Sequence, residues 1–129
     1  MRPLVYYISG HGFGHASRAI EVLNAVAARR PGLPLHLRTR AARWMFDLTM
    51  RGTFEYHALE TDPGVVQHDS LSLDAAETVR RATAYARDLP ALAAREAEVL
   101  RSLDAALVDR KSTRLNSSHS DRSRMPSSA

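Results

Sequence analysis

Two histidines and three glycines alternate in the stretch ISGHGFGHASR: Gly10, His11, Gly12, Gly14 and His15. Glycines let backbone N–H groups approach a ligand closely, and the start of a helix favours anions. A turn of this kind suits a phosphate or diphosphate. The spacing is G-x-G-x-G. The last glycine of the dinucleotide pattern G-x-G-x-x-G is His15 here, and no G-K-[ST] follows, so neither common phosphate-loop pattern applies. The histidines add proton chemistry. His15 falls in the first turn of a helical pattern, where the positive end of the dipole disfavours imidazolium. A neutral imidazole can take a proton, which suits His15 to general-base work. His11 and His15 also stand at i, i+4, but two ligands do not complete a metal site. His36, His57 and His68 could add donors, without motif spacing. A tight turn with two surface histidines accounts for the same residues, and on spacing alone that alternative stays open.

The elements around the turn set where it would sit. Residues 4–9, LVYYIS, are apolar and β-rich, as a buried parallel strand should be. Residues 15–30 read as a helix with Ala16, Ala19, Ile20, Leu23, Val26 and Ala27 on one face, stopped by Pro31 and Gly32. LPLHLRT is a second strand. Residues 41–51 form a second helix, with Trp44 and Leu48 on one face and Met45 and Phe46 on its outer side. Residues 53–59 alternate as a third strand. Residues 62–74, DPGVVQHDSLSLD, are a loop opened by Asp62-Pro63-Gly64. Residues 75–104 are helical in composition, and Pro90 is expected to divide them into two helices. AALV, residues 105–108, starts a fourth strand. Strands alternating with helices imply an α/β fold: a Rossmann-like parallel sheet flanked by helices. Ligands of such sheets bind at the carboxyl ends of the strands, where the glycine turn lies. With three strands and the start of a fourth, Val5, Ile8, Leu35, Leu37 and the apolar faces of the last helices are expected to lack part of their cover.

Composition narrows the function classes. Hydrophobic residues make up 44% and charged residues 25%, ordinary for a globular protein. There is no cysteine, which excludes disulfides and thiolate zinc sites. No transmembrane segment or signal peptide is apparent, so a cytoplasmic location is expected. The net charge is +4, but residues 1–108 contribute only +1 and residues 109–129 the other +3. The body therefore gives no electrostatic case for nucleic acid. The tail turns abruptly Ser-rich and holds the only lysine. Its runs DRKSTRLNSSH and SRMPSSA resemble one reading frame of a sequencing-library adapter. Residues 1–108 are thus expected to be the natural part and residues 109–129 a disordered, artefactual tail.

The run YYISGHGFGHASRAIEVLNAV resembles the amino-terminal half of GT-B glycosyltransferases, and most closely the bacterial glycosyltransferase-like proteins that share this region with plant-type L-arabinokinases. DPGVVQHDSLSLD is similar to the same group. A related glycine-rich turn ending in His occurs in the peptidoglycan N-acetylglucosaminyltransferase. The resemblance covers residues 4–108. It implies that this is an incomplete amino-terminal, acceptor-side domain of a two-domain enzyme. Sugar would pass from a nucleotide-sugar, bound mainly by the other domain, to a hydroxyl of a small-molecule or lipid-linked acceptor. No cofactor or metal would take part. Gly10, Gly12 and Gly14 would border the acceptor or the donor diphosphate, with His11 in the same pocket and His15 as the base. Gln67, His68 and Asp69 would bond acceptor hydroxyls, although a solvated polar loop explains them equally well. A GT-B enzyme is several times longer than this chain, so the chain alone is expected to be inactive. Two alternatives remain: the amino-terminal module of an L-arabinokinase-type sugar kinase, or a non-catalytic sugar- or nucleotide-binding module.

Overall fold

The computed structural model describes residues 1–64, 67, 69 and 71–112. Its elements run β1 (Leu4–Ile8), α1 (Gly14–Arg29), β2 (Leu35–Thr39), α2 (Arg43–Thr49), β3 (Glu55–Ala58), α3 (Ala75–Leu103) and β4 (Leu107–Lys111). The strands form one sheet in the order β3-β2-β1-β4. Every pairing is parallel, with Leu4 opposite Leu35 and Leu107, and His36 opposite Glu55. This is the α/β, Rossmann-like class with helices flanking a parallel sheet.

Alternation along the strands gives the sheet two unlike faces. One is apolar. Leu4, Tyr6 and Ile8 of β1 and Leu35 and Leu37 of β2 pack with Ala16, Ala19, Ile20 and Leu23 of α1. The small side chains of Ala16 and Ala19, both fully buried, let α1 approach the sheet closely. The other face carries Tyr7 of β1, Arg38 of β2 and His57 of β3. It is covered by α3 through polar contacts: Glu96 accepts from Tyr7 Oη at 3.0 Å and from Arg38 Nη2 at 2.8 Å, and also pairs with Arg38 Nε. No residue of α3 is buried.

Several expectations need correction. Val5, Ile8, Leu35 and Leu37 are buried rather than short of cover. The last helix does keep apolar side chains in solvent, Val79 and Leu89 among them. Helix α2 is turned the other way: Met45 and Phe46 are buried, while Trp44 and Leu48 are exposed. The reason lies across the core. Phe46 meets the rings of Phe54 and Tyr56 at 6.2 and 6.0 Å, a larger apolar partner set than Phe13 offers Trp44. Pro90 does not divide the last helix; α3 runs through it as one element. An interior proline costs a helix about 3 kcal/mol. Here tertiary anchors stand on both sides of it, Tyr85 Oη donating to Thr61 O at 2.6 Å before it and Glu96 after it, and they hold a single axis.

Strand β4 crosses the composition boundary at Val108. Asp109, Arg110 and Lys111 pair with Tyr6, Tyr7 and Ile8. Residues 113–129 of the tail lie outside the described residues. Among the described residues no helix is long and apolar enough to cross a membrane.

Candidate functional site

The strands β1, β2 and β3 all end at one edge of the sheet, and the segments leaving them meet there. After β1 the chain enters Ser9 and the glycine turn. Gly12 has φ +68°, a left-handed conformation that glycine adopts without the steric cost of a Cβ. This reversal points the chain into α1, whose N-cap is Phe13. Among the described residues no side chain caps that end, and no acid stands in its first turn. The first N–H groups of α1 are therefore open to an acceptor from outside the helix. Ser9 lies just before the turn, 1% exposed, and its hydroxyl has no hydrogen-bond partner among the described residues. A buried hydroxyl without a partner carries a desolvation cost that a ligand or water would relieve.

The loop after β3 closes on the same turn. His11 Nε2 lies 3.1 Å from the backbone oxygen of Asp62 and 2.9 Å from its Oδ1. Both neighbours are acceptors, so Nε2 carries the proton. The His11 ring lies flat against Gly64, where a Cβ would come within 2.2 Å of it. Gly64 also has φ +60°, so both sterics and backbone demand glycine there. Thr61 Oγ1 donates to Ile8 O at 3.2 Å and binds the loop to β1. Around these contacts is a cavity of about 280 Å³ bordered by Gly10, His11, Arg40, Glu60, Asp62 and Arg81.

A larger cleft of about 840 Å³ opens between α3, the same loop and β4. Tyr7, Tyr85 and Glu96 supply its polar wall, Leu59, Leu89 and Leu92 its apolar one. Tyr7 ionises late. Burial, and then the Glu96 carboxylate accepting its hydroxyl, push its pKa up to about 12 from 10.0. A folded-state value above the unfolded one means that this contribution to stability is complete below pH 10. It is lost as pH rises through about 12. Alkaline titration of the unfolding free energy should show that loss, and Tyr7→Phe should flatten the slope in part. Tyr6 and Tyr85, also raised by burial, would retain the remainder. An identical slope in Tyr7→Phe would remove Tyr7 from the account.

The expected site residues are thus only partly brought together. Gly10 and His11 border one cavity. Gly12 and Gly14 are exposed on the turn itself. His15 sits half-buried on the first turn of α1, borders neither cavity, and has no hydrogen-bond partner among the described residues. Gln67 is exposed and forms an isolated antiparallel bridge with Leu73. Asp69 turns its carboxylate on its own loop, accepting from the N–H groups of Leu71 and Ser72, each at 2.8 Å. Those bonds hold its pKa below the usual carboxylate value. His68 lies outside the described residues.

Sequence reasoning missed Ser9, Arg40, Thr61, Asp62 and Arg81. Asp62 and Gly64 were legible as a turn, but nothing local indicated that this turn would pack on His11.

The fold is a Rossmann-like α/β domain, and the candidate site at the carboxyl edge of its sheet is built from a glycine–histidine turn and the loop after β3. Over 70 residues, 54% of its length, the chain is 36% identical to L-arabinokinase of Arabidopsis thaliana. The matched region is 6% of that protein, so the chain spans a small part of its relative. No protein-family model and no solved structure matches the chain.

Proposed function

We propose that this chain is the acceptor-side part of a larger sugar-modifying transferase. The glycine–histidine turn would hold a sugar and the diphosphate of a nucleotide-sugar, and His15 would take the proton from the attacking sugar hydroxyl. The observation that carries this reading is the open end of α1 together with the buried hydroxyl of Ser9, just before the turn, which has no partner among the described residues. An anionic or hydroxyl-rich ligand fits donors of that kind. Transfer through this site needs no metal: backbone N–H groups and the helix dipole would stabilise the departing diphosphate.

A second reading has its own support. The similarity to an L-arabinokinase favours a sugar-binding module joined to a kinase domain. The turn would then bind sugar, and the chemistry would occur elsewhere. The described residues form one four-stranded sheet, and both readings place the chemistry's second partner on another domain. The purified chain should bind a nucleotide-sugar or free L-arabinose, with NMR shifts centred on Ser9 to His15, and should transfer no sugar. Shifts confined to other regions would refute the site. Sugar transfer by the chain alone would place the donor site within these residues.

A further inference from the structure

The sheet face beneath α3 carries a cluster that neither reading of the function uses. His36 of β2 is buried on it, and Glu55 and His57 of β3 lie beside it. In β3 the two residues are separated by one, so both side chains leave the same face while Tyr56 turns to the core. Parallel pairing sets His36 directly opposite Glu55. The juxtaposition therefore follows from strand register.

Three donor atoms converge there. His36 Nδ1 and His57 Nε2 are 3.3 Å apart, and Glu55 Oε2 lies 3.6 Å from the first and 3.8 Å from the second. A triangle with those edges has its circumcentre about 2.1 Å from each corner. Bonds from zinc to imidazole nitrogen and carboxylate oxygen are about 2.0–2.2 Å. We propose that His36, Glu55 and His57 form a binding site for a divalent transition metal of the Zn²⁺ class. Two imidazoles and one carboxylate make three protein ligands, and a small displacement of the ion from their plane leaves the fourth position to water.

The surroundings suit the ion. Imidazole binds metal when neutral. Arg38 does not oppose the ion with a free charge, because Glu96 engages its guanidinium. Glu55 is 70% exposed and can reorient its carboxylate at little cost. The two rings are nearly parallel, at 6°, with the facing nitrogens at hydrogen-bond distance. A proton and a metal ion therefore compete for this position. Binding turns both rings toward the ion and moves the shared proton to the far nitrogen of its ring. The site joins β2 to β3, which among the described residues is an edge strand paired to β2 alone, so the ion would staple that strand to the sheet.

Cobalt and zinc titrations of the full chain, after treatment with chelator, test the site. The chain should take up one equivalent of Co²⁺ with the intense visible absorption of four-coordinate cobalt, and Zn²⁺ should displace it. Free Zn²⁺ should raise the unfolding temperature by mass action. Glu55→Gln alters an exposed side chain and His57→Gln a half-buried one, and both should keep the wild-type circular dichroism. Each should weaken Co²⁺ binding at least about tenfold, since even loss of a supporting outer-shell contact costs that much. His11→Gln should bind as the wild type does. No saturable one-to-one binding, unchanged affinity in both Glu55→Gln and His57→Gln, or loss of binding in His11→Gln would each overturn the proposal.

Discussion

Replacing Glu96 with alanine should cost the fold about 3–5 kcal/mol and release α3 from the sheet. The size follows from how α3 is held. A long amphipathic helix usually docks by burying an apolar stripe, yet no residue of α3 is buried. Its grip on the sheet is polar and concentrated in one carboxylate. Glu96 accepts from Tyr7 and from two nitrogens of Arg38, and the Arg38 and Glu96 side chains are only 11% and 13% exposed. Alanine would leave the guanidinium, 11% exposed, without its carboxylate partner. Exposed pairs on the same helix, such as Arg101 with Glu98, should contribute no more than about 1 kcal/mol. Chemical denaturation gives the magnitude and hydrogen exchange the location: amides of α3 should lose protection while those of α1 keep it. The double variant Arg38→Met with Glu96→Leu should recover most of the loss, because it removes both charges and fills the space. A Glu96→Ala cost below about 1 kcal/mol would show that the pair behaves as a surface one.

How far the sequence revealed this arrangement depended on how local each signal was. The strand at β1, the turn and the buried face of α1 follow from a short apolar run, glycine chemistry and a 3.6-residue period, all within one stretch. Ala16, Ala19, Ile20 and Leu23 are buried as that period requires. The orientation of α2 was not legible. In seven residues Trp44 and Leu48 match one face as well as Met45 and Phe46 match another, and the choice is made by Phe54 and Tyr56 beyond the helix. Pro90 misled for the same reason, because the contacts that keep α3 continuous come from Thr61, Tyr7 and Arg38. The site divides along the same line. Its glycines and histidines were visible as a motif, while the closure of Asp62 and Gly64 onto His11 spans about fifty residues of sequence and appears only once the strands are aligned. Asp69 looked available to a ligand because a sequence does not show that a carboxylate is already bonded to its own loop.

In the longer transferase proposed here, His15→Ala should lower sugar transfer from a nucleotide-sugar by roughly 10²–10⁴-fold, the range for loss of a positioned general base. His15 borders neither of the two cavities described above. It stands on the first turn of α1 at the carboxyl edge of β1, half-buried, with no hydrogen-bond partner among the described residues to occupy its ring nitrogens. A base that removes a proton only as the acceptor hydroxyl attacks affects turnover, whereas binding of the donor, held mainly by the other domain, should change little. Lost turnover together with weakened donor binding would indicate misplacement of the turn rather than loss of the base. The second reading predicts a different outcome for the same variant: sugar affinity falls, and phosphoryl transfer from a nucleoside triphosphate continues at the wild-type rate on a separate domain. Unchanged transfer and unchanged sugar affinity would sink both readings and leave His15 as a surface histidine on a tight turn.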